Sequence, residues 1–146
     1  MEATSIRQRT YVGPAFAEAK VQDAMRVGVI SCTPDTSLAD AAQMMSGYGI
    51  HCLIVADVDS RRHTRAWGLV EALDLARAEA EGRATTVADV AATEVVTIDS
   101  NAPLSAAARL MAEHGAFHLV AVQPGTDEPV GVVSASGLTA ALAWGR

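Results

Sequence analysis

The side chains able to do chemistry are few and scattered. His114 and His118 stand four apart, an interval that suits a metal on one helical face, but Gly115 breaks the helix between them and no carboxylate or cysteine completes a ligand set. No metal is expected. Cys32 and Cys52 both lie among apolar residues and read as reduced core thiols, not as a disulfide or zinc framework. Arg61, Arg62, His63 and Arg65 read as the solvated tip of a hairpin, with Asp57 and Asp59 in the same polar turn. The chain has no Gly-x-Ser-x-Gly elbow, no phosphate loop with Gly-Lys-Ser/Thr and no complete Gly-x-Gly-x-x-Gly, so no catalytic residue and no enzyme activity is expected. Asp74 has a plain reading as a carboxylate in the first turn of a helix, and Ser134 as an N-cap.

These residues are positioned by a chain of 146 residues, 50% hydrophobic and 19% charged, the profile of one globular module. No apolar run reaches the roughly 18 residues that span a bilayer, and the opening segment lacks the apolar core of a secretory leader, so a cytoplasmic protein without a membrane partner is expected. A net charge of −6 leaves no basic footprint for a nucleic acid.

The chain repeats itself. A shift of 66 positions lays Val21-Gln22-Asp23 over Val87-Ala88-Asp89, and Leu38, Ala41, Ala42 and Met45 over Leu104, Ala107, Ala108 and Met111. Both sets carry the i, i+3, i+4, i+7 stripe of an amphipathic helix. Ser37 with Asp40 resembles a capping box, Pro103 suits a first helical turn, and Gly47, Gly49 and Gly115 mark the helix ends. Each copy continues with a buried strand (Leu53 to Ala56, Leu119 to Val122), a polar turn, a second strand (Trp67 to Val70, Val130 to Val133) and an alanine-rich helix starting near Ala72 or Ala135. A unit of about 60 residues buries too little surface alone, so an α+β fold is expected in which two tandem β-α-β-β-α repeats pack sheet against sheet around a pseudo-twofold axis. The expected divisions are an N-terminal extension (1–20), a first repeat (21–83) and a second (84–146). Tyr11, Val12 and Phe16 suggest that the extension packs somewhere, with a subunit interface as one place for it.

The order of elements and the residues at their junctions resemble the CBS domain, named after cystathionine beta-synthase and found as a tandem pair. The resemblance runs from residue 21 to about 142. It is carried by Val21-x-Asp23-x-Met25, by Thr33-Pro34-Asp35, by the run from Gly49 to Val55 that contains His51, and by Gly68-Leu69-Val70-Glu71-Ala72-Leu73-Asp74-Leu75. It implies a regulatory module that needs no cofactor and binds an adenosine-containing ligand, such as AMP, ADP, ATP or S-adenosylmethionine, between its halves. The family's binding signature is a glycine on the last strand, a Ser or Thr three residues on, and an aspartate three further. Glycine admits a flat base, the hydroxyl sits where a helix N-terminus favours phosphate, and the carboxylate takes the ribose hydroxyls.

Both halves depart from that template. The first has Gly68 and Asp74 but Glu71 in the hydroxyl position; the second has Gly131 and Ser134 but Gly137 in place of the aspartate. Two like unit charges about 4 Å apart at an effective dielectric near 20 cost roughly 4 kcal/mol, so Glu71 disfavours a phosphate and suits a cationic tail. The resemblance implies that Gly68, Val70 and the strand from Ile30 to Thr33 border the base, that Asp74 holds the ribose more tightly than the second half can, and that His51 reaches a phosphate. The alternative, from the same two defects, is a ligand-free module for dimerisation or for docking to a protein target. The family also implies a homodimer, for which the stripes of Leu38, Ala41, Ala42 and Met45 and of Leu104, Ala107, Ala108 and Met111 offer small, pliable faces.

Overall fold

The computed structural model describes residues 11–58, 61, 64–82 and 85–146, with the side chains of 58 and 64–67 left out. Of the basic cluster and its turn, Asp59, Arg62 and His63 lie outside the described residues. Along the chain run α1 (Val21–Ala24), β1 (Arg26–Val27), β2 (Ser31–Cys32), α2 (Leu38–Tyr48), β3 (Cys52–Val58), β4 (Thr64–Glu71), α3 (Ala72–Glu81), a 3-10 turn (Val87–Asp89), β5 (Thr97–Asp99), α4 (Leu104–His114), β6 (His118–Val122), β7 (Pro129–Ser134) and α5 (Ala135–Trp144). The fold is α+β with the expected repeat of strands and helices. No helix among the described residues is long and apolar enough to cross a membrane.

The helix ends follow from local chemistry. Ser37 Oγ accepts the Asp40 N–H at 3.0 Å and starts α2. Gly49 and Gly115 end α2 and α4 in the left-handed region, at φ +66° and +61°, which a side chain would strain. Gly47 lies inside α2, and Pro103 caps α4 from just outside it. Strands β3 and β4 run further than their apolar cores, out to Val58 and back from Thr64, into residues that read as a turn. Their backbone ladder continues beyond the apolar positions because hydrogen bonding between strands does not depend on burial.

Two compact units result, and they are not the two repeats in sequence order. The β3 unit comprises residues 29–95 with 127–129; the β7 unit comprises residues up to 28, 96–126 and 130–146. The β3 unit holds a sheet of order β2-β3-β4, with β2 parallel and β4 antiparallel to β3. The β7 unit holds a sheet of order β1-β7-β6-β5. The segment that opens the first repeat therefore builds the second repeat's unit, and the reverse holds for the segment opening the second repeat. In the β7 unit, Val21 N–H donates to Ala102 C=O and Gln22 N–H to Ser100 C=O, both at 2.8 Å. In the β3 unit, Val87 N–H donates to Thr36 C=O at 2.9 Å and Ala88 N–H to Pro34 C=O at 3.0 Å. These are the same two bonds with the partners exchanged by the 66-residue shift. Val21 and Val87 are each fully buried in the unit that receives them.

The stripes expected to offer a dimer face are turned inward instead. Leu38, Ala41 and Met45 belong to the core of the β3 unit, and Leu104, Ala107 and Met111 to that of the β7 unit; Ala42 is exposed and Ala108 half-buried. Each small unit needs its best apolar stripe to cover its own sheet. The described part of the N-terminal extension, residues 11–20, also packs on its own chain: Tyr11 is buried in the β7 unit's core with Phe16 against it, while Val12 is exposed. Cys32 and Cys52 are both buried and take part in no disulfide among the described residues, and burial raises the Cys32 pKa, partly offset by a hydrogen bond with Thr36.

Replacing Val21 by Ala removes fully buried methyls from the β7 unit, with an expected loss of about 1 to 3 kcal/mol in chemical denaturation. Hydrogen exchange is expected to quicken at β5, β6 and β7. Faster exchange confined to β3 and β4 would instead place the segment with the repeat it opens.

Candidate ligand site

The aspartates of the helix starts share one task. Asp23 Oδ2 accepts the Lys20 N–H at 2.8 Å, Asp74 Oδ2 accepts the Glu71 N–H at 2.8 Å, and Asp89 Oδ2 accepts the Thr86 N–H at 3.0 Å. Each is the backward-reaching half of a capping box. Ser134 supplies the forward half for α5, its Oγ accepting the Gly137 N–H at 3.1 Å and lying 3.0 Å from the Ser136 hydroxyl. The Ser/Thr and aspartate of the nucleotide signature thus coincide with the N-cap and N3 positions. At this junction one repeat keeps the aspartate and the other keeps the hydroxyl.

In the β3 unit, Asp74 also faces Arg77, with Nη2 3.4 Å from Oδ1. Gly68 and Val70 lie on β4, Ile30 and Thr33 flank β2, and β3 runs between these strands. At about 4.8 Å per strand, Gly68 and the Ile30–Thr33 strand are roughly 10 Å apart, with β3 between them. The Val70 side chain is fully buried in the core and Ile30 packs against that core, so neither turns its side chain outward as a whole. Thr33 belongs to a turn: its N–H donates to Thr36 Oγ1 at 3.1 Å and its hydroxyl donates to Asp35. His51 is exposed, and its carbonyl accepts the Ala72 N–H at 2.8 Å. It lines an apolar groove of about 560 Å³ between α2 and α3, together with Leu38, Met45, Leu75 and Glu79, whereas Asp74 does not.

The two signature glycines serve the chain itself. A Cβ on Gly131 would overlap the Arg26 carbonyl and lie 2.9 Å from Met25 Sδ; one on Gly68 would lie 2.9 Å from the Ala92 carbonyl. Arg26 and Ala92 are counterparts under the 66-residue shift. The missing side chain admits the exchanged segment's backbone at close approach.

That approach builds a cavity. Beside Ser134 the β7 unit forms a half-open cavity of about 500 Å³, lined by Asp23, Arg26, Ser134, Ser136 and Gly137 among others, with Tyr11 at its side. The size falls within the range of small-molecule sites, and the polar groups converge from three segments of chain. Tyr11 donates to the Pro14 carbonyl, and burial first, the Asp23 carboxylate second, raise its pKa above the ordinary phenol value. The first turn of α5 holds no acidic side chain, so its N-terminal dipole is open to an anion. Of the residues singled out from the sequence for binding, only Ser134 lines this cavity. Asp23, Arg26 and Ser136 also line it and were not singled out from the sequence, where Asp23 figured only in the motif Val21-x-Asp23-x-Met25 that carries the resemblance. No group of three or more metal-ligating side chains occurs among the described residues.

The family model of the CBS domain matches residues 21–81 and 87–143. Curated protein sequences return no match. Solved structures do. An uncharacterized conserved protein from Pyrococcus horikoshii is similar with a TM-score of 0.75 at 22% identity, over 89% of this chain and 96% of that one. A CBS domain pair crystallised with 5′-methylthioadenosine and S-adenosyl-L-methionine gives 0.73 at 21% identity, over 83% and 93%. CBSX2 in complex with AMP gives 0.65 at 20% identity, over 85% and 96%. At these identities the likeness establishes the fold.

The capping role has a pH signature at Asp89, the counterpart of Asp23. Backbone hydrogen bonds from Thr86, then Thr85, hold its carboxyl below the usual aspartate range. A carboxylate whose folded-state pKa is depressed stabilises above its unfolded-state pKa, and that contribution is lost as pH falls through the folded-state value. Asp89→Ala is therefore expected to lower the melting temperature at neutral pH, with the gap to the parent narrowing on acidification below about pH 4. A gap independent of pH from 7 down to 2.5 would refute the capping account.

Proposed function

This chain belongs to the CBS domain family, and we propose that it is a cytoplasmic regulatory module whose ligand contains adenosine. The observation that carries this reading is the cavity beside Ser134, sized for a small molecule and furnished with hydroxyls, an arginine and a carboxylate. The Ser134 hydroxyl accepts from Gly137 and shares one proton of the pair with the Ser136 hydroxyl 3.0 Å away, which leaves the two hydroxyls together one proton to donate. With Arg26 and the α5 N-terminus it suits a phosphate, as in AMP, ADP or ATP. The corresponding place in the β3 unit, at Gly68, Glu71 and Asp74, suits an adenosine with a cationic tail, as in S-adenosylmethionine. Similar structures were crystallised with ligands of both kinds, which supports the class.

A second reading rests on the apolar groove between α2 and α3, with Tyr48 and Leu73 exposed on the same two helices. Such a surface fits a second copy of the chain or a protein target, and both functions can coexist in one module.

A ligand that binds the native state raises the melting temperature, by about 2.7 kcal/mol of added stability at a hundredfold excess over Kd. Thermal shift with AMP, ADP, ATP, S-adenosylmethionine, NAD and adenosine at millimolar concentration is expected to show a rise for at least one. Ser134→Ala is expected to diminish the rise with AMP, and Glu71→Thr to improve phosphate-bearing ligands relative to adenosine. A panel with no rise at all would leave only the docking reading.

A further inference from the structure

We infer that Asp23, a residue of the exchanged N-terminal segment, is the ribose acceptor of the cavity beside Ser134, in place of the carboxylate that Gly137 does not carry. The inference rests on the adenosine reading above and assigns a specificity-determining residue within it. At 137 there is no side chain, and a Cβ there would already lie 3.0 Å from the Ala24 carbonyl, so that backbone has to give before any side chain fits. The residue next to Ala24 is Asp23, and it lines the same cavity as Gly137, Ser134 and Arg26. The position crowded against a side chain and the carboxylate that replaces it are thus set by one stretch of chain.

The chemistry of Asp23 suits two adjacent hydroxyls. A carboxylate offers about four acceptor lone pairs. Capping spends one of them, since Oδ2 accepts the Lys20 N–H at 2.8 Å, and Oδ1 takes no hydrogen bond among the described residues. The 2′ and 3′ hydroxyls of a ribose can each donate to what remains. Capping also fixes the carboxylate, so little side-chain freedom is lost when a ligand arrives. Arg26, three residues on and in the same cavity, leaves phosphate to a different group from the ribose.

The test uses the full chain carrying Asp74→Ala, which removes the other candidate ribose acceptor, and titrates it by calorimetry with adenosine and with 2′-deoxyadenosine. Adenosine is expected to bind at least tenfold more tightly. Adding Asp23→Asn is expected to shrink that preference to about twofold, with the fold retained, because the amide oxygen still accepts from Lys20; circular dichroism and the melting temperature check this. A tenfold preference surviving Asp23→Asn overturns the inference, and so does its disappearance in the Asp74→Ala chain, an outcome that decides the matter even if the Asn variant does not fold. Adenosine binding without hydroxyl preference refutes the Asp23 assignment alone. No adenosine binding to the parent chain refutes the reading beneath it as well.

Discussion

The carbonyl oxygen of Arg26 occupies the space that a side chain at residue 131 would fill, and the β7 unit depends on that approach. With glycine at 131, β1 can pair with β7 in the register Arg26 to Val132 and Val27 to Gly131. That pairing anchors the end of the exchanged segment, whose other end is held by backbone bonds to Ser100 and Ala102 and by the burial of Val21. Between the two anchors lie Asp23, Ala24 and Met25, which form one wall of the cavity. The same constraint recurs at Gly68, where Leu69 and Ala92 exchange backbone hydrogen bonds at 2.9 Å. In both units the absence of a side chain at this glycine is a requirement of assembly.

Helix capping and ligand recognition draw on the same atoms. An N-cap hydroxyl and an N3 carboxylate satisfy backbone N–H groups that have no partner inside the helix, worth about 1 kcal/mol each. They stand at the positively polarised helix end where an anionic or hydroxyl-rich ligand also gains most. A repeat that loses one of the pair keeps a folded helix start, because the other half of the capping box suffices: Asp74 for α3 and Ser134 for α5. In the β7 unit the position without the carboxylate, Gly137, lines the same cavity as a neighbouring capping aspartate, Asp23.

Local structure was legible in the sequence wherever one residue type had one physical use. Gly49 and Gly115 end their helices, Ser37 starts one, and the apolar run from Leu53 to Val55 is a buried strand. The exchange of segments was not legible, and the reason is the repeat itself. Val21-x-Asp23 and Val87-x-Asp89 present the same pattern to either unit, so packing each with the other's sheet leaves every apolar position satisfied. The partnership of Asp23 and Ser134 was hidden for the same reason, since they lie more than a hundred residues apart and meet only through that exchange. The stripe of Leu38, Ala41 and Met45 was legible as a helix face but not by its destination, because an amphipathic pattern does not say which apolar surface covers it.

The central claim is that the exchanged segment and the start of α5 together form the ligand site. Amide chemical-shift mapping of the nitrogen-15-labelled chain titrated with AMP tests it most directly. The largest saturable changes are expected at residues 23–26 and at 134–137. Saturable changes confined to the α2 and α3 groove, or none at millimolar AMP, would contradict it.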